Sequence, residues 1–286
     1  MPADRESKQL PIVLTIAGSD SSGGAGIQAD LKTIAAFDCF GMSVITAITA
    51  QNSQGIDLVH GLPSEVVEAQ LKTIFNDYPI SAIKIGMVGT KDIVQVLADQ
   101  LSLLKNVPII LDTPLVSTTQ SPLAKEGVVE AMLEHLFPLA KLVTPNLDEA
   151  GVFLNKELAT SVDEMMSQAK ELKQFGSGAV LLKGGHLHGY EEGQQARDVF
   201  YDGVALETLT VPWVKVSHTH GTGCVLASAI AAQMAKNEVL GRGKPLVKMV
   251  NDAKKWLAEC LALSSDMGLG KGSGPVKISK LPKFTD

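Results

Sequence analysis

The chain has 286 residues, of which 45% are hydrophobic and 20% are charged, a composition that excludes fibrous, disordered and short disulfide-stapled proteins. Its 25 basic and 31 acidic side chains give a formal net charge of −6, which excludes a broad basic surface for nucleic acid or acidic membranes. The expected partner is therefore a small molecule.

The N-terminus and the cysteines indicate a reducing compartment. Residues 1–9 carry charges of both signs instead of a basic segment that leads into an apolar one, so the sequence predicts no secretory signal and a cytoplasmic location. No apolar run approaches the roughly 20 residues that a membrane helix needs. Cys39, Cys224 and Cys260 lie far apart without any Cys-x-x-Cys spacing, which indicates neither a disulfide framework nor a cysteine zinc site.

Apolar, β-branched runs of strand length alternate along the chain with segments of helical period. The runs predict strands at residues 12–17, 43–50, 82–85, 107–111, 141–144 and 179–182. Because these strands are apolar on both faces, the alternation predicts an α/β fold with a mostly parallel sheet covered by helices on both sides. Ser64 and Ser161 each precede a helical pattern, and Ser161 with Glu164 matches a capping box.

The last third of the chain departs from this rhythm. An Asp202-Gly203 turn between two apolar runs predicts an antiparallel hairpin from Asp198 to Val211 at one edge of the sheet. No linker or repeat marks a domain boundary, so we predict one domain at residues 11–265 between tails at 1–10 and 266–286. The glycine-rich residues 268–275 are expected to be a loose end of the fold or a cover over a ligand.

A glycine-rich loop at residues 18–26 follows the first predicted strand and precedes a helix. Gly24, Gly26 and Ala29 formally fit the dinucleotide-binding fingerprint, so a Rossmann oxidoreductase is one hypothesis. That site needs an acidic residue about twenty positions onward, whereas the second strand leads into the neutral residues 49–52. Gln51 in this stretch is instead suited to bind a heterocycle through a paired donor and acceptor.

Two further segments place polar side chains at the carboxyl ends of predicted strands. Asn146 and Glu149 open a helix, where they could hold Mg²⁺ through water, form a helix cap, or do both. Lys183 follows the strand at 179–182 and could pair with a phosphate chain, although a lone lysine at a strand end is usually solvated. Open α/β sheets bind ligands at this edge.

The sharpest motif is the pentapeptide His220-Gly221-Thr222-Gly223-Cys224, which precedes a helical run of small apolar residues. Glycines allow backbone N–H groups to converge at a helix start, where the dipole adds about half a positive charge. Such an anion hole would stabilise the charge of a transferred phosphoryl group, as in a kinase. A helix N-terminus also lowers a thiol pKa, which predicts Cys224 as the general base for a substrate hydroxyl. The alternative is tight packing of the helix against a strand.

Other patterns are weaker. The pairs His186/His188 and His218/His220 could each place two imidazoles together, but no third ligand is identifiable, so we interpret them as loop histidines. The two cysteines outside the pentapeptide lie among apolar residues and are predicted to be core side chains. The sequence lacks the phosphate-binding P-loop motif and the nucleophile elbow of serine hydrolases.

In this order, the segments resemble the signatures of the ribokinase-like superfamily and, within it, the hydroxymethylpyrimidine/phosphomethylpyrimidine kinases of thiamine biosynthesis. The matching segments are TIAGSD at 15–20, SGGAGIQADLK at 22–32, GMSVITA at 41–47, KIGM at 84–87, TPN at 144–146, KGGH at 183–186 and HGTGC at 220–224. They span the chain from about residue 12 to 263, and their combination is far more specific than any one of them. The resemblance implies a three-layer α/β/α fold of the ribokinase type.

The resemblance also implies an activity and roles for particular residues. The enzyme would be a cytoplasmic homodimer that uses Mg²⁺ and transfers the γ-phosphoryl group of ATP to 4-amino-5-hydroxymethyl-2-methylpyrimidine and then to its monophosphate. The residues implied in substrate binding are Asp30, Gln51, Met87, Gly18 and Pro114. Those implied in catalysis are Gly221, Thr222, Gly223, Cys224 and Lys183, while Asn146, Lys183 and Thr222 would bind the nucleotide, and Glu149 and Asp112 the metal.

One segment departs from the family pattern. Where the family has Asp-Pro-Val-Met followed by a Ser-Gly pair, this chain has Asp112-Thr113-Pro114-Leu115 and then Thr118-Thr119-Gln120. Pro114 lacks a backbone donor and fixes φ, and Gln120 replaces a flexible glycine, which affects lid behaviour and substrate preference. A pyridoxal kinase of the same superfamily and a non-catalytic pyrimidine sensor are the alternative functions.

Overall fold

The computed structural model describes residues 10–116, 123–185, 187, 195–216, 218–264 and 267–278. The strands within these ranges are β1 (Ile12–Asp20), β2 (Phe40–Asn52), β3 (Gly55–Gly61), β4 (Ala82–Ile85), β5 (Ile109–Leu111), β6 (Leu142–Val143), β7 (Val180–Lys183), β8 (Gln195–Tyr201) and β9 (Leu206–Pro212). The α-helices are α1 (Gly26–Ala36), α2 (Ser64–Phe75), α3 (Lys91–Leu101), α4 (Val128–Ala131), α5 (Leu147–Leu154), α6 (Val162–Lys173), α7 (Thr222–Val239) and α8 (Leu246–Ala262). A π-helical turn at Met132–Leu136 and a 3₁₀ turn at Phe137–Leu139 continue α4.

All nine strands belong to one sheet in the order β3-β2-β1-β4-β5-β6-β7-β8-β9. The central pairs from β2 to β7 are parallel, whereas β3 and the β8–β9 hairpin run antiparallel at the two edges. The predicted hairpin is confirmed, and the Asp202 carboxylate accepts the N–H groups of Val204 and Ala205 in its turn. The antiparallel strand β3 at the other edge was not predicted.

Two apolar cores lie on opposite faces of the sheet, because successive side chains of a strand point to opposite sides. On β1, Leu14 and Ile16 join the core under helices α2 to α6, while Val13 joins the core under α1, α7 and α8. The three-layer α/β/α arrangement is thereby confirmed. Cys39 and Cys260 are buried in the second core, as predicted.

The predicted helix starts are found with one difference in the capping. The Ser161 hydroxyl accepts the N–H of Glu164 at 3.2 Å, as in a capping box. The Glu164 carboxylate, however, accepts the N–H and hydroxyl of Thr160 at 2.7 and 3.0 Å. In the described part of the chain, no helix combines the length and apolar character needed to cross a bilayer.

The C-terminal segment at residues 267–278 is attached to the fold and is not a loose tail. The Ser53 hydroxyl, in the β2–β3 turn, accepts the N–H groups of Lys271 and Gly272, both at 3.1 Å. A short parallel bridge then joins Pro275 to His220, directly before α7. The domain boundary at residue 265 stays a prediction, and the described part of the segment beyond it contacts the sheet turn and the start of α7. The predicted N-terminal tail lies, except for Leu10, outside the described residues.

Candidate active site

The carboxyl ends of the central parallel strands open into one cavity of about 450 Å³. Each strand contributes a side chain or loop residue that follows it, since parallel strands all end at the same edge of a sheet. These residues are Gly18 near the end of β1, Met87 after β4, Asp112 after β5, Asn146 after β6 and Lys183 at the end of β7. The start of α7 closes the cavity from the side.

The turn at residues 221–224 is held against the glycine-rich loop. Gly221 adopts a left-handed conformation with φ of 80° as the N-cap of α7. A Cβ atom at this position would overlap the carbonyl oxygen of Gly24, so the close approach of the two loops requires glycine. Thr222 donates both its N–H and its hydroxyl to the Thr219 carbonyl, at 3.2 and 2.6 Å.

The same turn faces the charged residues of the cavity. A Cβ atom built on Gly223 would lie 3.4 Å from Lys183 Nζ and 3.5 Å from Asp112 Oδ2. The first N–H groups of a helix have no partner within the helix and carry the positive end of its dipole. The turn, Lys183 and the N-terminal start of α7 therefore form a positively polarised wall next to Asp112.

Asp112, Lys183 and Glu149 form a buried charged cluster opposite this turn. Lys183 Nζ lies 3.1 Å from Asp112 Oδ1, which also accepts the Thr144 hydroxyl at 3.0 Å. Burial acts to raise the pKa of Asp112, but the charges of Lys183 and Lys84 prevail and lower it. Burial raises the pKa of Glu149 to about 7, and the nearby charge of Asp112 adds to this effect while Lys183 opposes it.

Asn146 and Glu149 form the helix cap that was one of the two predicted interpretations. The Asn146 side chain accepts the N–H of Glu149 at 2.8 Å, and Glu149 Oε2 accepts the N–H of Asn146 at 2.8 Å. The Glu149 carboxylate also accepts the Asn146 amide and the Thr113 hydroxyl, both at 3.0 Å. The cap thus fixes Glu149 at the cavity wall beside Asp112.

Cys224 lies in the cavity wall, but its thiol is not activated as predicted. Burial raises its pKa to about 11, and the negative charges of Asp30 and Asp112 act in the same direction. The Lys84 charge and the Gly26 N–H group oppose the increase without cancelling it. The expectation of a lowered pKa from the helix N-terminus was therefore wrong, because two carboxylates and desolvation outweigh the dipole.

The structure contradicts the substrate-binding role expected of Asp30. Its carboxylate is completely buried beneath the cavity. There Lys84 Nζ donates to both carboxylate oxygens, to Oδ1 at 3.0 Å and to Oδ2 at 2.9 Å. The hydroxyls of Thr15 and Ser228 donate to the same carboxylate at 2.6 and 2.8 Å. Asp30 is thereby fully occupied in tying α1 to β1, β4 and α7, and it does not line the cavity.

The other residues expected to bind substrate do line the cavity. Gln51, Met87, Gly18 and Pro114 are all among its lining residues. A Cβ atom on Gly18 would lie 3.1 Å from the sulfur of Met87, so this glycine leaves room for the thioether at the wall. A flat ring could lie between Met87 and the amide of Gln51.

Sequence reasoning missed two residues of this wall, Asp20 and His220. His220 is buried, and its Nε2 atom lies 3.0 Å from Asp20 Oδ2, so it is not the loop histidine that was predicted. Burial acts to raise the pKa of Asp20, but hydrogen bonds from His220, Ser22 and Ala25 prevail and lower it. The signal was present in the sequence, since Asp20 ends an otherwise apolar strand and His220 precedes the anion-hole glycines.

The far end of the cavity was also not predicted. Val211, Trp213 and Leu257 give it an apolar lining between the β8–β9 hairpin and α8. At its margin, Lys254 and Asp198 form a buried ion pair at 2.5 Å, and the Asp198 carboxylate also accepts the N–H of Gly184 at 3.0 Å. This pair therefore fixes the loop that follows Lys183.

Some predicted features lie outside the described residues. These are His186, His188 and the Thr118-Thr119-Gln120 stretch of the divergent segment. Of the remaining histidine pair, His218 accepts the N–H of Gly274 at 2.8 Å through Nδ1. Among the residues that the structure describes, no three His, Cys, Asp or Glu side chains form a group that could hold a metal ion.

Comparison with known proteins gives one consistent result. The model of the phosphomethylpyrimidine kinase family matches residues 20–277. The hydroxymethylpyrimidine/phosphomethylpyrimidine kinase of Rhizobium meliloti is 43% identical over 265 residues, which are 93% of this chain and 96% of that protein.

Solved structures agree with this result. The phosphomethylpyrimidine kinase of Clostridium difficile is 36% identical, with a TM-score of 0.73 over 87% of this chain and 98% of that one. The pyridoxal kinase of Staphylococcus aureus in complex with AMP-PCP and pyridoxal is 34% identical, with a TM-score of 0.80 over 94% of both chains.

Proposed function

The chain belongs to the phosphomethylpyrimidine kinase family, and we propose that its cavity phosphorylates the alcohol of an aminopyrimidine at the expense of ATP. In the first step the alcohol of 4-amino-5-hydroxymethyl-2-methylpyrimidine accepts the phosphoryl group, and in the second step the phosphate of the resulting monophosphate accepts it, as in thiamine biosynthesis. The observation that supports this proposal is the meeting of the Gly221–Cys224 turn, Lys183, Asp112 and Gln51 in one cavity.

The positively polarised wall suits the transfer step. In phosphoryl transfer, the substrate oxygen forms a bond to the γ-phosphorus while the bond to the β–γ bridging oxygen breaks and ADP leaves, and the proton of the substrate hydroxyl passes to water. The transition state is loose and carries its charge on the equatorial oxygens, so positioning and charge stabilisation provide most of the catalysis. The N–H groups of Gly223 and Cys224 would bind these oxygens, and Lys183 would hold the phosphate chain.

The cluster of Asp112 and Glu149 fits a magnesium ion. Mg²⁺ keeps several waters and uses one or two carboxylates, and a cation between these two would relieve the repulsion that contributes to the raised pKa of Glu149. Asp112 and, through water, Glu149 with Asn146 would hold the ion. Bound Mg²⁺ would neutralise charge on the phosphates of ATP.

The role of Cys224 follows from its protonation state. Its thiol carries a proton at neutral pH, because its pKa is raised to about 11. We therefore assign it the orientation of the substrate hydroxyl through a hydrogen bond, in place of proton abstraction before attack. A loose transition state tolerates this, since the nucleophile needs little activation before the leaving group departs.

The remaining walls suit the two organic groups. Gln51 and Met87 would bind the pyrimidine, and the apolar end between Trp213 and Leu257 would bind the adenine ring. Thr222 is within the turn that separates these two ends, where its hydroxyl currently bonds to Thr219. This arrangement would bring the substrate alcohol and the γ-phosphate together in front of residues 221–224.

A direct assay tests the proposal. Purified protein with Mg–ATP should release ADP when the hydroxymethylpyrimidine or its monophosphate is added, and it should form the mono- and diphosphate, detected by mass spectrometry. Tight pyrimidine binding without ADP release would instead identify a sensor. The absence of both pyrimidine binding and ADP release would refute the kinase proposal.

A pyridoxal kinase is the second candidate function, because a solved pyridoxal kinase superposes on this chain with a TM-score of 0.80. Both substrates present a hydroxymethyl group on a six-membered aromatic ring. The values of kcat/KM for pyridoxal and for the aminopyrimidine decide between them, and we expect the aminopyrimidine to give the larger value.

We further propose a cytoplasmic homodimer that binds neither nucleic acid nor membrane. The three cysteines are not disulfide-bonded, as is usual in a reducing compartment. Ile48 and Leu58 are exposed on one face of the β2–β3 pair, at 49% and 59%, and a second copy would cover them. Light scattering should give a dimer for the wild type and a monomer for Leu58→Asp.

A further inference from the structure

A chain of polar side chains crosses the substrate wall from β1 to β2. His220 Nε2 lies 3.0 Å from Asp20 Oδ2 and 3.2 Å from the Gln51 amide nitrogen. At the other side of the amide, Gln51 Oε1 lies 3.1 Å from the Thr49 hydroxyl, which is also 3.1 Å from the Ser19 carbonyl. Each of these atoms has a limited number of protons, so the orientation of the amide can be deduced.

The Asp20 carboxylate decides where the His220 proton lies. It accepts the N–H groups of Ser22, Gly24 and Ala25 at 2.8, 3.1 and 2.8 Å, and the Ser22 hydroxyl at 2.8 Å. Such a set of donors stabilises the ionised form, which can only accept hydrogen bonds. His220 Nε2 must therefore carry a proton and donate it to Asp20. A protonated Nε2 cannot accept a bond from the amide N–H of Gln51.

The Thr49 hydroxyl gives a second and independent constraint. It has one proton, and the Ser19 carbonyl can only accept it. When Thr49 donates to Ser19, its oxygen is left as an acceptor toward Gln51. The side chain of Gln51 must then present an N–H group to Thr49, which is the reverse of an arrangement with Oε1 at that place.

We infer that the Gln51 amide is locked with Oε1 toward His220 and Nε2 toward Thr49, so that Asp20 and His220 act as positioning residues for substrate recognition. A half-turn of the amide exchanges its two terminal atoms without moving the side chain. In this orientation the Nε2–H of His220 is shared between Asp20 and Gln51, and the three contacts His220–Asp20, His220–Gln51 and Gln51–Thr49 each join a donor to an acceptor.

The locked amide has one lone pair and one N–H group left for a ligand. Gln51 Oε1 can accept from an exocyclic amino group while Nε2 donates to the adjacent ring nitrogen, which matches the edge of a 4-aminopyrimidine. A 4-oxo ring presents the reverse pattern and would require the amide to turn. This inference rests on the proposed function, and it makes the lock a determinant of selectivity for the amino ring over the oxo ring.

Nuclear magnetic resonance of the ligand-free protein tests the proton assignment without any assay of activity. A long-range ¹H–¹⁵N spectrum of uniformly ¹⁵N-labelled wild type should show a protonated Nε2 for His220, assigned as the signal that His220→Gln lacks. Nε2 protonated, with or without a proton on Nδ1, supports the lock. An unprotonated Nε2 would overturn it.

Selectivity tests the lock at its other end, away from the anion hole. The probes are 4-amino-5-hydroxymethyl-2-methylpyrimidine and its 4-oxo counterpart, each measured as kcat/KM. Thr49→Val removes the acceptor for Gln51 Nε2, and we expect the amino-to-oxo ratio to fall at least about tenfold, the worth of roughly one hydrogen bond. Thr49→Ser retains the hydroxyl and should keep the ratio within about threefold of wild type.

The outcomes separate the lock from the kinase proposal. A Thr49→Val ratio equal to that of wild type would refute the lock while the kinase assignment stands. If wild type phosphorylates neither ring, the kinase assignment fails, and the protonation of His220 Nε2 still decides how the amide is oriented.

Discussion

Burial in the cavity keeps protons on Cys224 and Glu149 to a higher pH than water would, and this changes what each residue can do. The pKa of Cys224 is raised to about 11 and that of Glu149 to about 7. Desolvation is the main cause of both increases, and carboxylates that are distant in sequence add to it: Asp30 and Asp112 for Cys224, and Asp112 for Glu149. Local sequence carries no information on such neighbours, so the motif predicted the position of Cys224 and not its ionisation.

Substitutions at Cys224 separate orientation of the substrate from proton abstraction. We expect Cys224→Ala to lower kcat roughly 10- to 100-fold with little change in KM, because the hydroxyl loses its partner mainly in the transition state. Cys224→Ser keeps a hydrogen-bonding group. Its log kcat should therefore lie more than about half of the way from the alanine variant back to wild type. Steady-state kinetics at pH 7 measure both variants. A serine variant as slow as the alanine variant would show that a thiolate is required.

The raised pKa of Glu149 predicts a particular dependence of stability on pH. The unfolded side chain titrates near 4.5 and the folded one near 7, so between these values the unfolded state releases a proton that the folded state retains. Stability from this residue is therefore present below pH 4.5 and is lost as the pH rises through 7. The stability of Glu149→Gln relative to wild type should therefore increase between pH 5 and 8, by on the order of 1–3 kcal/mol in the free energy of unfolding.

Urea unfolding at several pH values measures this gain. Asp163→Asn removes an exposed carboxylate from the first turn of α6 and serves as the control, with a difference from wild type that stays nearly constant. A Glu149→Gln difference that is equally flat would mean that Glu149 ionises normally.

At the scale of elements, the site depends on how closely the Gly221 turn approaches the glycine-rich loop. Gly221→Ala adds a Cβ that meets the Gly24 carbonyl and strains a residue with φ of 80°. We expect a loss of stability of more than about 2 kcal/mol and a large loss of kcat, because the turn must shift. Gly243→Ala is the matched control, since Gly243 has φ of 63° with nothing within 4 Å of the added atom.

Denaturant midpoints and kcat together check this prediction. Gly243→Ala should show only the backbone cost of roughly 1 kcal/mol and normal turnover. Equal effects of the two substitutions on kcat would contradict a role for close packing of the turn.

Elements were predicted well where the pattern is local and poorly where it is not. The strand predicted at 82–85 has the same bounds as β4, because all four of its side chains are buried and three of them are apolar. Strand β3 was missed because its sequence lacks the apolar pattern of a buried strand. It contains Asp57 and His60, and most of its side chains are exposed. The C-terminal segment was missed because glycines give no periodicity and its contacts use backbone groups and Ser53.

At the scale of the whole molecule, the two cores share every central strand, so we expect them to unfold together. Phe137 and Phe37 are almost fully buried on opposite faces of the sheet. Phe137→Ala and Phe37→Ala should each lower stability by about 3–5 kcal/mol. Each should shift the same single transition, even though Trp256 lies only in the core of Phe37.

The measurement uses Trp256 fluorescence in a Trp213→Phe background, together with far-ultraviolet circular dichroism. Both probes should move equally for both variants. A Phe137→Ala protein whose fluorescence transition stays in place would show that the layers unfold separately.

The site itself could be predicted in outline because parallel strands bring their ends to one edge whatever lies between them. Asn146, Glu149 and Lys183 were placed together by this rule, whereas Asp112 was expected there only from the family resemblance. Asp30 was not placed correctly, because its partner Lys84 lies 54 positions away and the two side chains meet only in the folded chain. Long-range ion pairs of this kind leave no local pattern.

The bridge between Pro275 and His220 has a consequence for biosynthesis. The backbone N–H of His220 donates to the Gly274 carbonyl, and its carbonyl accepts the N–H of Val276. The segment at residues 267–278, which holds this histidine, therefore leaves the ribosome only after α7 and α8 have been translated. A nascent chain stalled near residue 266 would hold all nine sheet strands and yet lack that support. We expect such an arrested chain to resist protease through its sheet while remaining inactive, and activity to require residues 267–278.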